Sequence, residues 1–167
     1  HVIAAYQNIH ETRITRRFKD DILETQDEEV HAFSLTTDLE KSLGSLEMQY
    51  GLELNHNIVT SEANGSNINN ADITSAILTR YPSGDNNMSS AAFYLAGDYN
   101  FSESDKLLAG LRWTTTSLDF NYLRSDEILW PESYYSGISS NNSALTWSLG
   151  FRHNKERISI PVSYTHL

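Results

Sequence analysis

ALTWSLGFR, residues 144–152, places a large apolar side chain at every second position and small or polar residues between them. A period of two is that of a β-strand, whose successive side chains point to opposite faces of a sheet. The stretch therefore predicts a strand with one apolar face and one polar face. The apolar face carries Leu145, Trp147, Leu149 and Phe151.

The same alternation recurs along the chain and predicts six strands and the beginning of a seventh. Soluble sandwiches usually have strands of about 5–6 residues, whereas a strand that crosses a bilayer at a tilt needs about 9–11. Most of the predicted segments are long enough to span a bilayer. They are residues 2–17, 31–41, 46–59, 88–100, 106–119 and 143–153, with a further strand starting near Arg157.

The connections between these strands alternate between short and long. Outer-membrane barrels follow this plan, because their periplasmic turns are short and their extracellular loops are long. We therefore predict an all-β fold, an antiparallel up-and-down meander that forms part of a transmembrane β-barrel. The short connections are 42–45, 101–105 and 154–156, and the long ones are 19–30, 60–87 and 120–142.

Composition limits the classes of function. Mean hydropathy is −0.46, and no segment has the roughly 18 consecutive apolar residues of a membrane-spanning helix. The net charge of −10 argues against nucleic acid as a partner, because neutralising phosphates needs a surplus of Lys and Arg. The chain has no cysteine, which excludes disulfides and thiolate metal ligands.

Four charged residues on the polar face are expected to point into a water-filled lumen: Glu53, Asp98, Arg112 and Arg152. Arg112 and Arg152 share this face with Asp98 and are expected to pair with it between neighbouring strands, because paired charges inside a wet barrel cost little. A register slip of one residue would move a whole strand's charges to the apolar face.

The sequence offers no defined catalytic or metal site. The six His residues never fall at i, i+4, nor at i, i+2 on one strand face, so no metal site of the usual spacing is visible. The carboxylates between Asp20 and Glu29 lack the register of a Ca²⁺-binding loop, and we interpret them as a solvated acidic loop. No nucleophile elbow is present. We therefore expect no enzyme activity, no metal and no cofactor.

Five motifs occur in order along the chain: Leu46 through Tyr50-Gly51-Leu52-Glu53 to Ser61, then Thr79-Arg80-Tyr81-Pro82-Ser83-Gly84, Ala92-Phe93-Tyr94-Leu95, Leu107-Leu108-Ala109-Gly110-Leu111-Arg112-Trp113, and Trp147-Ser148-Leu149-Gly150-Phe151-Arg152. Together they resemble the middle of the barrel of a TonB-dependent outer-membrane receptor. The resemblance covers roughly residues 2–157.

This resemblance implies about six or seven strands of a barrel that has about 22 around a plugged lumen. It implies a bacterial outer-membrane location, contact with outer-membrane lipid and, in the full-length protein, a plug domain and TonB as partners. The implied cargo is a scarce nutrient such as an iron–siderophore complex, a small-molecule metal chelate. Residues 1–157 are expected to be the barrel fragment, and residues 158–167 a truncated strand with a non-native tail.

The long loops hold the candidates for ligand binding: Arg80, Tyr81, Trp130, Tyr134 and Tyr135. Aromatic residues with polar neighbours suit capture of an amphipathic ligand, but Trp and Tyr also anchor barrels at the headgroup level, so both interpretations stay open. Two further function classes stay open. One is a soluble all-β ligand-binding or adhesin-like module, whose apolar faces would meet in a core, and the other is a barrel enzyme with catalytic residues at its rim.

Overall fold

A computed structural model describes residues 1–70, 73–125, 128–155 and 158–166. It contains one β-sheet and, among the described residues, one helix of a single turn, α1 (Glu132–Tyr135). None of the described residues forms a helix long and apolar enough to cross a membrane. The strands are β1 (Val2–Thr15), β2 (Ile22–Leu43), β3 (Leu46–Asn67), β4 (Ile73–Ala76), β5 (Asn86–Asn100), β6 (Asp105–Phe120), β7 (Ile138–Lys155) and β8 (Ile158–His166).

The strands pair in the order β1-β2-β3-β5-β6-β7-β8, and the short β4 pairs with β3 outside this path. Every pair of neighbouring strands is antiparallel. No pairing joins β1 to β8 within the described parts of the chain, so the sheet is open there. The predicted all-β up-and-down meander, part of a barrel rather than a closed one, is confirmed.

The two ends of the sheet differ in their connections. At the end termed the lower end, short turns join β2 to β3 and β5 to β6, and Gly44 adopts a φ of 63° that few other residues reach. At the upper end, residues 68–85 and 121–137 form the long connections. The predicted asymmetry is confirmed, but the connection from β1 to β2 is only residues 16–21, shorter than the predicted loop 19–30.

Register pairs identify which side chains share a face of the sheet, because residues directly opposite one another point the same way. One row runs from Tyr50 of β3 through Leu95 of β5 and Leu111 of β6 to Trp147 of β7. The surface that contains this row is termed the apolar face, and the opposite surface the polar face. As predicted, the apolar face carries Phe93, Leu95, Leu107, Leu111, Trp113, Leu145, Trp147, Leu149 and Phe151, and the polar face carries Glu53, Asp98, Arg112 and Arg152.

Among the described residues, no second layer covers the apolar face. Leu145 is 56% exposed and Leu149 is 49% exposed, and the one apolar residue buried among the described side chains, Ala92, lies on the polar face. A soluble sandwich would need a second sheet packed about 10 Å away, and the described residues provide none. Its absence leaves a single-layer wall, the form that a sheet takes in a barrel.

The upper edge of the apolar face slants across the rows of paired residues. The row through Phe33 of β2 passes through His56, Ser89 and Ser117 to Asn141 of β7, so it is aromatic on one side of the sheet and polar on the other. Strands of transmembrane barrels tilt by about 35–45°, so a membrane plane must cut their hydrogen-bonded rows diagonally. The slant is the one that a tilted wall requires.

Three strands extend farther toward the upper end than the alternation predicts. β2 begins at Ile22 instead of 31, β3 continues to Asn67 instead of 59, and β7 begins at Ile138 instead of 143. Most of the acidic segment predicted as a loop therefore lies in β2. In these extensions polar cross-strand contacts, such as Thr12 with Asp27 at 2.5 Å, replace apolar alternation while the backbone ladder continues.

Candidate functional site

An ion pair crosses the polar face at the middle of the sheet. Arg112 Nη1 and Nη2 donate to the two carboxylate oxygens of Glu53 at 3.0 and 2.6 Å, in a bidentate arrangement. Glu53 is on β3 and Arg112 on β6, so the pair spans β5, where the small residue Ala92 is 3% exposed. Bidentate pairs of this kind have both strength and fixed geometry, so Arg112 and Glu53 hold three strands in register.

A tyrosine crosses the same face one row below. Tyr94 of β5 lies over Gly51 of β3, and its hydroxyl donates to the carboxylate of Asp38 and, at 3.4 Å, to the carbonyl oxygen of Thr37 on β2. A side chain at position 51 would collide with the Tyr94 ring and the Thr37 carbonyl. Gly51 is therefore required by close packing, and its backbone φ is not in the left-handed region.

Gly51→Ala is expected to lower the free energy of unfolding of the full-length protein by about 1–3 kcal/mol, the usual cost of overpacking. Denaturant titration in detergent micelles measures this change. The matched control is Gly97→Ala on β5, where the nearest atom to an added Cβ is 3.7 Å away and the expected change is within about 0.5 kcal/mol. Equal costs for the two substitutions would contradict the packing of Tyr94 over Gly51.

The remaining charges of the polar face have partners other than those expected from the sequence. Asp98 accepts from Lys106 Nζ at 3.2 Å, and Arg112 is engaged with Glu53, so neither expected pair with Asp98 forms. Arg152 lies opposite Lys106 in the register, and no ion pair of its side chain occurs within the described residues. These ion pairs join residues that lie diagonally across the sheet. Alternation within one strand predicts the face of a residue but not its diagonal neighbours.

A segment at the upper end folds back over the polar face. This segment, residues 78–85, is termed the strap and leads into β5. Gln26 Nε2 of β2 donates to the Leu78 carbonyl at 2.8 Å, and the strap's Arg80 pairs with Glu11 at 3.1 Å and with Glu28 at 3.3 Å. Partial burial opposes the charge of Arg80, but the carboxylates of Glu11 and Glu28 raise the pKa of its guanidinium above the ordinary value.

The connection 121–137 carries a cluster of aromatic rings. The ring centroids of Tyr122 and Trp130 are 4.5 Å apart, and Tyr134 lies 5.6 Å from Tyr122 and 5.9 Å from Trp130. Beside them, the Arg124 guanidinium lies 4.6 Å from the centroid of the Tyr135 ring, and Arg124 also pairs with Glu132. The structure thus brings together three of the predicted ligand-binding residues, Trp130, Tyr134 and Tyr135.

A cavity of about 390 Å³ lies between the strap and this connection and is termed the mouth cavity. Of the predicted ligand-binding residues, Trp130 lines it, whereas Arg80, Tyr81, Tyr134 and Tyr135 do not. Sequence reasoning missed Tyr122 and Arg124, although both are ring or cation residues on a long loop and the same criterion could have selected them. The lining includes Leu78, Thr79 and Ser83 of the strap and Tyr122, Arg124 and Trp130 of the connection.

Within the described residues, no group of three or more His, Cys, Asp or Glu side chains is placed to hold a metal ion. The acidic residues of β2 are spread over both faces of the sheet, because successive residues of a strand alternate between them. Asp27 lies 3.9 Å from His10 of the neighbouring strand β1, and Glu29 lies 3.4 Å from His31 two residues along β2 itself.

Comparison with known proteins gives a family match and a structural likeness. Residues 4–166 match the family described as TonB dependent receptor-like, beta-barrel. The fold is similar to that of the siderophore receptor PiuA from Acinetobacter baumannii, with a TM-score of 0.52 and 14% sequence identity. The match covers 87% of this chain and 25% of that chain, so this chain spans about a quarter of that receptor's length. No curated protein sequence matches the chain.

Proposed function

Because the chain belongs to the TonB-dependent receptor β-barrel family, we propose that it forms part of the wall of an outer-membrane receptor that imports a scarce nutrient such as an iron–siderophore complex. The observation that carries this proposal is the single-layer sheet with an apolar face whose upper edge slants. In this arrangement lipid covers the apolar face, and water fills the space beside the polar face. A receptor of this kind is a transporter, and no enzyme activity is proposed for it.

The polar face supports an assignment as the lumen wall. Its charges Glu53, Asp98, Arg112 and Arg152 would point into the lumen, where a plug domain of the full-length protein would lie and TonB would act on that plug. Glu53 already has a basic partner across β5, on β6, and Asp98 has one on the neighbouring strand. The wall therefore carries its own charge pairs. Among the described residues Arg152 has no ion-pair partner, so it could pair with an acidic group of the plug.

The mouth cavity supports a role in capturing the ligand. On β6 the apolar alternation ends at Trp113, whereas the connection carrying Trp130 starts after Phe120, above that limit. Trp130, Tyr122 and Tyr134 therefore lie above the apolar region of β6. At this height the rings are better placed to capture a ligand than to anchor the barrel at the lipid headgroups. Aromatic rings beside the Arg124 guanidinium suit an amphipathic ligand that has an aromatic or anionic part.

Loss of the full-length receptor tests the proposed function itself. The probe is radioiron equilibrated with the siderophores that the native host secretes under iron starvation. Cells that lack the gene for the full-length receptor are expected to lose uptake of at least one fraction of this mixture, separated by chromatography. Unchanged uptake of every fraction would contradict a role in iron–siderophore import.

Trp130→Ala is expected to raise the concentration of that fraction needed for half-maximal uptake roughly tenfold, because buried aromatic contacts are typical hot spots of binding. The matched control is the neighbouring Leu129→Ala, since Leu129 is 81% exposed and does not line the mouth cavity. Surface levels of both variants are compared by antibody. Indistinguishable uptake by the two variants would exclude the mouth cavity as the capture site.

A further inference from the structure

The few buried side chains of this sheet are concentrated beneath the strap. Both faces of a single layer are open, so a side chain is buried only where larger side chains cross over it, as at Ala92, or where another segment covers it. The buried non-glycine residues in the described parts of the chain are Ala92, Glu28, Ser61 and Asn86, at 3%, 3%, 1% and 7% exposure. The three polar ones, Glu28, Ser61 and Asn86, all bond to the strap.

Each of these polar residues holds a different part of the strap. Glu28 accepts from the Arg80 guanidinium at 3.3 Å, and Ser61 Oγ accepts from the Tyr81 backbone N–H at 3.4 Å. Asn86 Nδ2 donates to the carbonyl oxygens of Pro82 at 2.7 Å and Gly84 at 3.2 Å, and also to that of Val59 on β3 at 3.0 Å. The strap is therefore bonded to the wall along most of its length.

The Glu28 carboxylate depends on this cover. A buried carboxylate is strongly unfavourable unless a cation or several donors compensate for the loss of water. Its neighbours in the row are Glu11 on β1, which has the same charge, and Ser61 on β3, whose hydroxyl is 3.5 Å away. Arg80 supplies the positive charge for both carboxylates at once.

We propose that Arg80 is a positioning residue that fixes the strap to the polar face, so that the strap forms a rigid wall of the mouth cavity. Leu78, Thr79 and Ser83 of the strap line this cavity, but Arg80 points away from it toward Glu28. Arg80 therefore acts on ligand capture through the strap and does not contact the ligand. This inference rests on the proposed function only in treating the cavity as the capture site.

Proteinase K cleavage within the strap, followed by mass spectrometry on the full-length receptor in outer-membrane vesicles, tests the inference. Arg80→Met is expected to raise the cleavage rate about tenfold or more, because it leaves a buried carboxylate without its partner. The double variant Arg80→Met with Glu28→Met is expected to return within about threefold of the wild type, because removing both polar partners of a buried pair is nearly neutral. Arg80→Lys, which keeps the positive charge, is expected to stay within the same limit.

Arg13→Met is the matched control, since Arg13 lies 3.8 Å from the same Glu11 and forms no ion pair or side-chain hydrogen bond with the strap within the described residues. The cleavage rate of this variant is expected to equal that of the wild type. The radioiron uptake defined above gives the second readout. The concentration needed for half-maximal uptake is expected to rise in Arg80→Met and to return toward the wild-type value in the double variant. If the strap is equally resistant to protease in Arg80→Met, or if the double variant is as easily cleaved as the single one, the inference is wrong.

The two proposals fail in different ways. A receptor that imports no fraction of the radioiron mixture contradicts the proposed function, but the cleavage rates still decide how the strap is held. A ligand contact by Arg80 would weaken uptake in Arg80→Met without faster cleavage, and Glu28→Met would not restore it. That pattern would overturn the positioning role and leave the import function intact.

Discussion

Leu149→Arg is expected to lower the free energy of unfolding of the full-length protein by about 2–4 kcal/mol, the cost of an arginine at the bilayer midplane on the lipid side of a barrel. Leu149 lies on the apolar face of β7, opposite Ala109 of β6, and is 49% exposed. It stands between Trp147 and Phe151 along the strand, inside the apolar region. A guanidinium at this position would either lose its hydration or draw water into the bilayer, and both cost free energy.

Ser148→Arg is the matched control for this substitution. Ser148 is the adjacent residue, opposite Gly110, and points to the polar face, where water would solvate the new charge. Its expected cost is within about 0.5 kcal/mol, as for a surface substitution. Unfolding by guanidinium chloride, followed by tryptophan fluorescence in lipid vesicles, measures both variants. Equal tolerance of Arg at the two positions would contradict the assignment of the apolar face to lipid.

Which side chains share a face of this sheet could be predicted from the sequence because the two faces differ in polarity. Where one face is apolar and the other polar, a slip of one residue exposes every side chain to the wrong side, so alternation alone fixes the facing of Trp147 and Arg112. The short turn at Gly44 then sets how β2 and β3 pair. Both features are local, because each is contained in a short stretch of consecutive residues.

The ends of the strands could not be predicted in the same way. Apolar alternation reports the extent of the apolar face, whereas the backbone ladder continues as long as neighbouring strands can pair. Asp27 and Glu62 are register partners well above the apolar region, and nothing in their sequence marks them as strand residues. The predicted strands therefore match the part of β2 and β3 that carries the apolar face, and the polar extensions were missed.

The contacts of the upper end depend on residues far apart in the chain. Arg80 and Glu28 are separated by 52 positions, and several other carboxylates on β1 and β2 would have suited Arg80 equally well by charge. The path of the strap over the polar face determines that Arg80 pairs with Glu28. The same holds for Tyr122 and Trp130, whose rings meet because the connection between β6 and β7 turns on itself.

The isolated chain of 167 residues is expected to aggregate or to require detergent when it is expressed alone. Its accessible surface is 11883 Å², whereas a compact monomer of its mass, 18.9 kDa, exposes about 8,300 Å². The excess reflects an uncovered sheet, and one side of that sheet is a continuous apolar face, whereas soluble monomers rarely expose an apolar patch larger than about 300–600 Å². In addition, β1 and β8 each have an edge without a partner strand among the described residues, and such edges promote association.

Size-exclusion chromatography with light scattering, in plain buffer and in detergent, measures the outcome, and thermal unfolding by circular dichroism reports whether any monomer is cooperative. Large aggregates in buffer and smaller, β-rich particles in detergent are expected. A monodisperse monomer that melts cooperatively in plain buffer would overturn the assignment of the apolar face to lipid. It would instead favour a soluble all-β binding module, because the apolar face could remain in water only by folding against another part of the same chain.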